Sequence, residues 1–144
     1  MSAKTDYLEN KWIDHTFRAI AYPAPTVLAV GLFTAAPSDV GGGTEITGGG
    51  YARAQLDPSV TNWRNTQNSG TGASSGTGGQ TANNVAITFP APSAAWGVAT
   101  HFGIWDALVG GNLLYHAALA AQKTINNGDP APTFPAGTLQ VTEG

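Results

Sequence analysis

Three histidines, His15, His101 and His116, are the only side chains in the 144-residue sequence whose type alone suggests acid–base chemistry or a metal site. Two of them sit in segments that alternate with period two. Trp96, Val98, Thr100, Phe102 and Ile104 form one face of the first segment, opposed by Gly97, Ala99, His101 and Gly103; Leu113, Tyr115, Ala117 and Leu119 form one face of the second. Pairing the two as a hairpin puts Phe102 and Ile104 with Leu113 and Tyr115, and puts His101 and His116 together on the other face. Two cross-strand imidazoles hold a metal only if a third ligand arrives. The segment has no Cys, and Asp106 falls on the opposite parity near the turn, so a surface or interface pair is the better reading.

Other constellations are missing. No serine sits in a nucleophile elbow, and no pair of carboxylates is flanked by aromatics. The runs Gly41 to Gly43 and Gly48 to Gly50 neither lead into a helix nor carry a Lys, so they read as turns rather than phosphate loops. Trp12, Trp63, Trp96 and Trp105 have the rings to stack a sugar or a base, but packing is the default use of indoles, and Trp12 and Trp96 fall on predicted buried stripes. The sequence therefore predicts no catalytic, cofactor-binding or metal-binding residue, no cofactor, and no enzyme.

The elements that would carry these residues are short. Leu8, Trp12, Ile13, Phe17 and Ile20 recur near a 3.6-residue period, which predicts one N-terminal helix with Asp6 as N-cap and Glu9 completing a capping-box-like pattern. Tyr22-Pro23-Ala24-Pro25 closes that segment, because each proline disfavours helical geometry in the residue before it. Thr26 to Thr34, apolar on both faces, suits a buried strand, and Tyr51 to Leu56 suits another with Tyr51 and Arg53 on one side. Val85, Ile87 and Phe89 mark a half-buried strand, and Leu139 and Val141 share one side of the last. Asn65 to Asn84 is low-complexity and lacks apolar anchors, which predicts a mobile loop or an arm ordered by a neighbour. The expectation is an all-β, antiparallel β-sandwich or jelly roll with one short N-terminal helix: residues 1–22 helical, 23–144 the sandwich, 65–84 its long loop.

Composition narrows the partners. Charged residues are 10% of the chain, against a typical value of about 25%. So few solvating charges suit a protein packed against others. A net charge of -3 with six scattered basic residues argues against nucleic-acid binding. Without Cys there are no disulfides or thiolate sites. Charges interrupt residues 1–22, so no signal peptide or membrane span is expected there, and cytoplasmic synthesis is.

Leu32-Phe33-Thr34-Ala35-Ala36-Pro37, Gly49-Gly50-Tyr51-Ala52-Arg53, His101-Phe102-Gly103-Ile104-Trp105-Asp106 and Gly111-Asn112-Leu113-Leu114 resemble a family of small virion proteins of tailed phages. Asn126-Asn127-Gly128-Asp129 and Phe134-Pro135-Ala136-Gly137 extend the likeness, which runs from about Leu8 to Val141. These are turn and strand motifs and carry no catalytic residue. The resemblance implies a virion structural protein made in the host cytoplasm. Some members are described as tail or fibre proteins, and the group is similar to jelly-roll cement proteins on the outside of phage heads. With no fibre repeat in the sequence, capsid decoration is the favoured expectation: binding the major capsid protein at the capsid surface, with self-association and without nucleic-acid or membrane partners. A tail or tail-fibre component and a host-surface or carbohydrate-binding module are the alternatives. The candidate contact elements are the N-terminal segment, the low-complexity loop and exposed strand edges.

Overall fold

A computed structural model describes residues 3–143; Met1, Ser2 and Gly144, which belong to the two predicted segments, lie outside the described residues. The chain is all-β and antiparallel with one short helix, as the alternation predicts. Its elements are β1 (Ala3–Lys4), α1 (Asp6–Phe17), β2 (Ala29–Ala35), β3 (Thr44–Glu45), β4 (Ala54–Gln55), β5 (Gln80–Ala82), β6 (Ile87–Thr88), β7 (Gly97–Trp105), β8 (Leu113–Ile125), β9 (Thr133–Phe134) and β10 (Gln140–Thr142). One large sheet runs β1-β8-β7-β2-β3, with β4 also on β2. Two small ladders, β10 with β5 and β6 with β9, give the fold its sandwich-like second layer.

Because strand side chains alternate, β2 serves both faces of the large sheet. Val30 and Leu32 lie opposite Ile104 and Phe102 of β7, which in turn oppose Tyr115 and Ala117 of β8. This face meets Ile87, Phe89, Leu139 and Val141 from the other layer in one buried cluster. Burying each such side chain fully stabilises the fold by roughly 1.5–3 kcal/mol before entropy is counted.

Two β-bulges change what strict alternation predicts. The register of β7 against β8 shifts between Ala99 and His101 and again between Ile104 and Trp105. An extra residue reverses facing, so Ala99 is buried while Val98 is exposed, and the predicted stripe from Trp96 to Ile104 breaks at Thr100. The second shift pairs Leu113 with Trp105 and carries Leu113 away from Tyr115. Leu113 instead crowds Gly103 together with Phe33: a methyl built on Gly103 would stand 2.7 Å from Leu113 Cδ1 and 2.8 Å from Phe33 Cε2.

The helix starts one residue earlier than expected. Thr5, not Asp6, is the N-cap: its backbone is extended (φ -81, ψ 156) and its hydroxyl accepts from Leu8 N at 3.5 Å. That hydroxyl also donates to Leu113 O at 2.6 Å, which ties the helix start to β8. Asp6 and Glu9 in the first turn complement the helix dipole. The helix stops at Phe17, well before Pro23, with Arg18 as C-cap, and Ala19 beyond it has a left-handed φ of +55 that lets Ile20 N return to Asp14 O.

The low-complexity segment divides into two parts. Residues 65–79 fold on themselves through side-chain-to-backbone bonds, with Asn65 Nδ2 donating to Ser69 O, Gln67 Nε2 to Ala73 O and Thr66 Oγ1 to Ser75 O. Residues 80–84 belong to the body of the fold. β5 pairs with β10, and Asn83 is wholly buried. Its amide donates to Val85 O, Phe134 O and Pro135 O, and its carbonyl oxygen accepts from Leu139 N.

Candidate functional site

The register keeps His101 and His116 on one face, since His116 opposes Gly103, two residues from His101. Their partners differ. His101 Nδ1 lies 2.9 Å from Thr100 Oγ1, and His116 Nε2 lies 3.1 Å from Asp39 Oδ1. His15 Nδ1 accepts from Tyr22 N at 3.2 Å, fastening the turn after α1. Asp106 closes its own turn by accepting from Asn112 N and Nδ2. Among the described residues no three His, Cys, Asp or Glu side chains come together as a metal site.

A polar corner joins three of the resembling motifs. Arg53 donates from Nε and Nη2 to the two oxygens of Glu45, each at 2.8 Å, and from Nη1 to Ala107 O and Gly110 O. A bidentate carboxylate clamp of this kind suits the planar guanidinium and no other side chain. The Tyr51 hydroxyl donates to Glu45 Oε1 and accepts from Leu32 N, both at 2.9 Å. Tyr51 and Arg53 thus share a side, as their spacing predicts. Burial, the largest cause, pushes the Tyr51 phenol well above its ordinary pKa, and the Glu45 carboxylate pushes in the same direction, so it stays a donor.

Arg53 also stacks 3.7 Å from the centre of the Trp105 ring, and Phe33 lies almost parallel to that ring at 6.4 Å. Trp105 Nε1 is buried without a hydrogen-bond partner, facing the backbone of Gly31. A methyl on Gly31 would lie 2.6 Å from Glu45 Oε1, a carboxylate that Arg53 and Tyr51 hold still. Apart from the Trp105 indole N–H, the polar groups here are engaged inside the chain, and the cluster braces β2, β3 and the turn after β7.

The other tryptophans divide sharply. Trp96 is buried and donates to Gly49 O at 2.8 Å, and half-buried Trp63 donates to Leu56 O at 3.1 Å. Trp12, expected on a buried stripe, is 43% exposed. Its neighbours follow it, with Ile13 52%, Phe17 81% and Ile20 49% exposed. Only Leu8 of α1 is buried. The periodic segment forms the helix, but among the described residues Ile13 and Phe17 of its apolar positions stay mostly uncovered. Trp12 packs edge-on against His15 and Tyr22. Sequence reasoning names the N-terminal segment as a candidate contact element but places Trp12 on a buried stripe, and it has no means of pairing Glu45 with Arg53 across a loop.

Two apolar clefts are open on the surface. One of about 420 Å³ lies between β8 and β9, with Leu119, Ile125 and Phe134 in its wall, and one of about 480 Å³ has Leu28, Trp63, Tyr115 and Val141. In the second, the Tyr115 hydroxyl donates to Glu143, which also pairs with Lys4 at 2.8 Å, so its principal polar groups are already engaged. No described helix is long and apolar enough to cross a membrane.

Among the described residues the polar clusters close largely within the fold, and an apolar helix face is open to solvent. The sequence model of the Gp80 family, described as podophage GP4 fiber I protein gp80, matches residues 3–142. The chain belongs to this family and is a phage virion structural protein. No curated protein matches it.

Proposed function

We propose that the chain is a non-enzymatic subunit of a phage fibre assembly, held in the particle by protein contacts that cover α1. The family match over nearly the whole chain carries this reading, because the family is described by a fibre protein. The geometry supports it: the Arg53 corner engages its polar groups internally, whereas Ile13 and Phe17 face outward. A role as capsid cement, bridging major capsid subunits on the head surface, keeps one specific support. The described residues form a sandwich-like body and show no repeated shaft of a fibre. Nucleic acid and membrane have no part in either role.

Copy number separates the two. A fibre subunit should be present in a small multiple of the fibre number, and particles lacking it should lose host adsorption while their heads keep DNA at the same temperature. Amounts comparable to the major capsid protein, with early thermal DNA release in its absence, would establish the cement role instead. Quantitative gel densitometry of purified virions and a thermal DNA-release assay supply both readouts.

A further inference from the structure

Ile13 and Phe17 stand five and nine residues beyond Leu8. At about 100° per residue they point roughly 140° and 180° away from the one buried side chain of the helix. They form an outward stripe with i,i+4 spacing. Asp14 and Arg18 border this stripe on one flank, bonded to each other at 2.9 Å, with Arg18 strongly exposed. An exposed helix of this length is marginal in water unless its apolar face is packed. Ile13 is 52% and Phe17 81% exposed, while Trp12, four residues beyond Leu8, turns to the other side and Ile20 lies past the helix end. Ile13 and Phe17 would be the apolar centre of a small contact with a polar rim.

We propose that this surface is a two-fold interface between copies of the chain, with the α1 helices packed antiparallel and crossing near Thr16. The charges select a second copy. Asp14 and Arg18 are equally far from Thr16 along the helix and lie on the same flank. A two-fold axis at Thr16 therefore sets Asp14 of each copy against Arg18 of the other and brings the two Phe17 rings together beside the axis. One self-complementary patch satisfies itself twice, as an isologous contact requires. The inference concerns the free protein and does not depend on where in the particle the chain sits.

Sedimentation equilibrium of the purified full chain tests it. The wild type should shift with concentration from 14.7 kDa to twice that mass. F17D should stay monomeric and, at concentrations where the wild type is also monomeric, should unfold at the same midpoint, and D14R and R18D should each weaken pairing at least tenfold. Mixing D14R with R18D should restore a heterodimer, since each then meets the opposite charge across the axis; loss of helix structure cannot produce that rescue. A wild type that stays monomeric at every concentration, a dimer that F17D leaves intact, or a mixture that does not pair would overturn the proposal. Fibre location and copy number in virions are read separately, so either conclusion can fail without the other.

Discussion

The Arg53 corner and helix α1 treat the ordinary rule of burial in opposite ways. At the corner a charged side chain only 8% exposed is enclosed by Glu45, two carbonyls and the Trp105 ring. On the helix a phenyl ring is 81% exposed. A buried charge is tolerable because every donor has a partner, and a buried ion pair is costly mainly when one member is removed. An exposed apolar stripe, by contrast, lowers stability little in the free chain but gains energy as soon as a neighbour covers it. Changes at the corner should therefore cost stability, and changes on the helix should cost association.

The largest effect is expected for Arg53→Ala. It strands Glu45, frees two carbonyls and uncovers Trp105, and it should lower unfolding free energy by about 3 kcal/mol in urea titrations. Asn83→Ala follows at about 2–3 kcal/mol, because the wholly buried amide's four bonds to the backbone are lost together. Gly31→Ala should cost about 2 kcal/mol by forcing a methyl against a clamped carboxylate. Thr5→Ala should cost about 1 kcal/mol through the lost cap. Phe17→Asp should change the unfolding free energy by less than about 0.5 kcal/mol when both proteins are compared as monomers. An F17D loss as large as that of R53A would erase the contrast between the two regions.

Alkaline pH sharpens the corner's side of the comparison. The Tyr51 phenol ionises less readily in the folded chain than in the unfolded one. Its contribution is complete below about pH 10 and is lost as pH rises beyond the unfolded value, where the unfolded chain releases a proton that the folded one keeps. Stability measured between about pH 8 and pH 11 should fall at the upper end, and less steeply in Tyr51→Phe.

Much of the fold was legible in the sequence because alternation reports strand faces directly. The parity of Ile104 with Tyr115 and of Phe102 with Ala117 followed from it. Leu113 and Ala99 did not, since a bulge inserts a residue without changing the composition around it. Asn83 was hidden in a polar run, where an amide that braces four backbone groups looks like any loop asparagine. Trp12 and Phe17 were assigned to the core because a 3.6-residue period marks an apolar helix face without naming what covers it. The open face of α1 was the part hardest to read, although the N-terminal segment stood among the candidate contact elements.

Localised cryo-electron microscopy of the intact particle tests the central claim most directly, by showing what lies against Phe17. The account predicts this chain at the fibre assembly with α1 covered by protein and Phe17 excluded from solvent. A particle in which every copy leaves Ile13 and Phe17 facing water would contradict it.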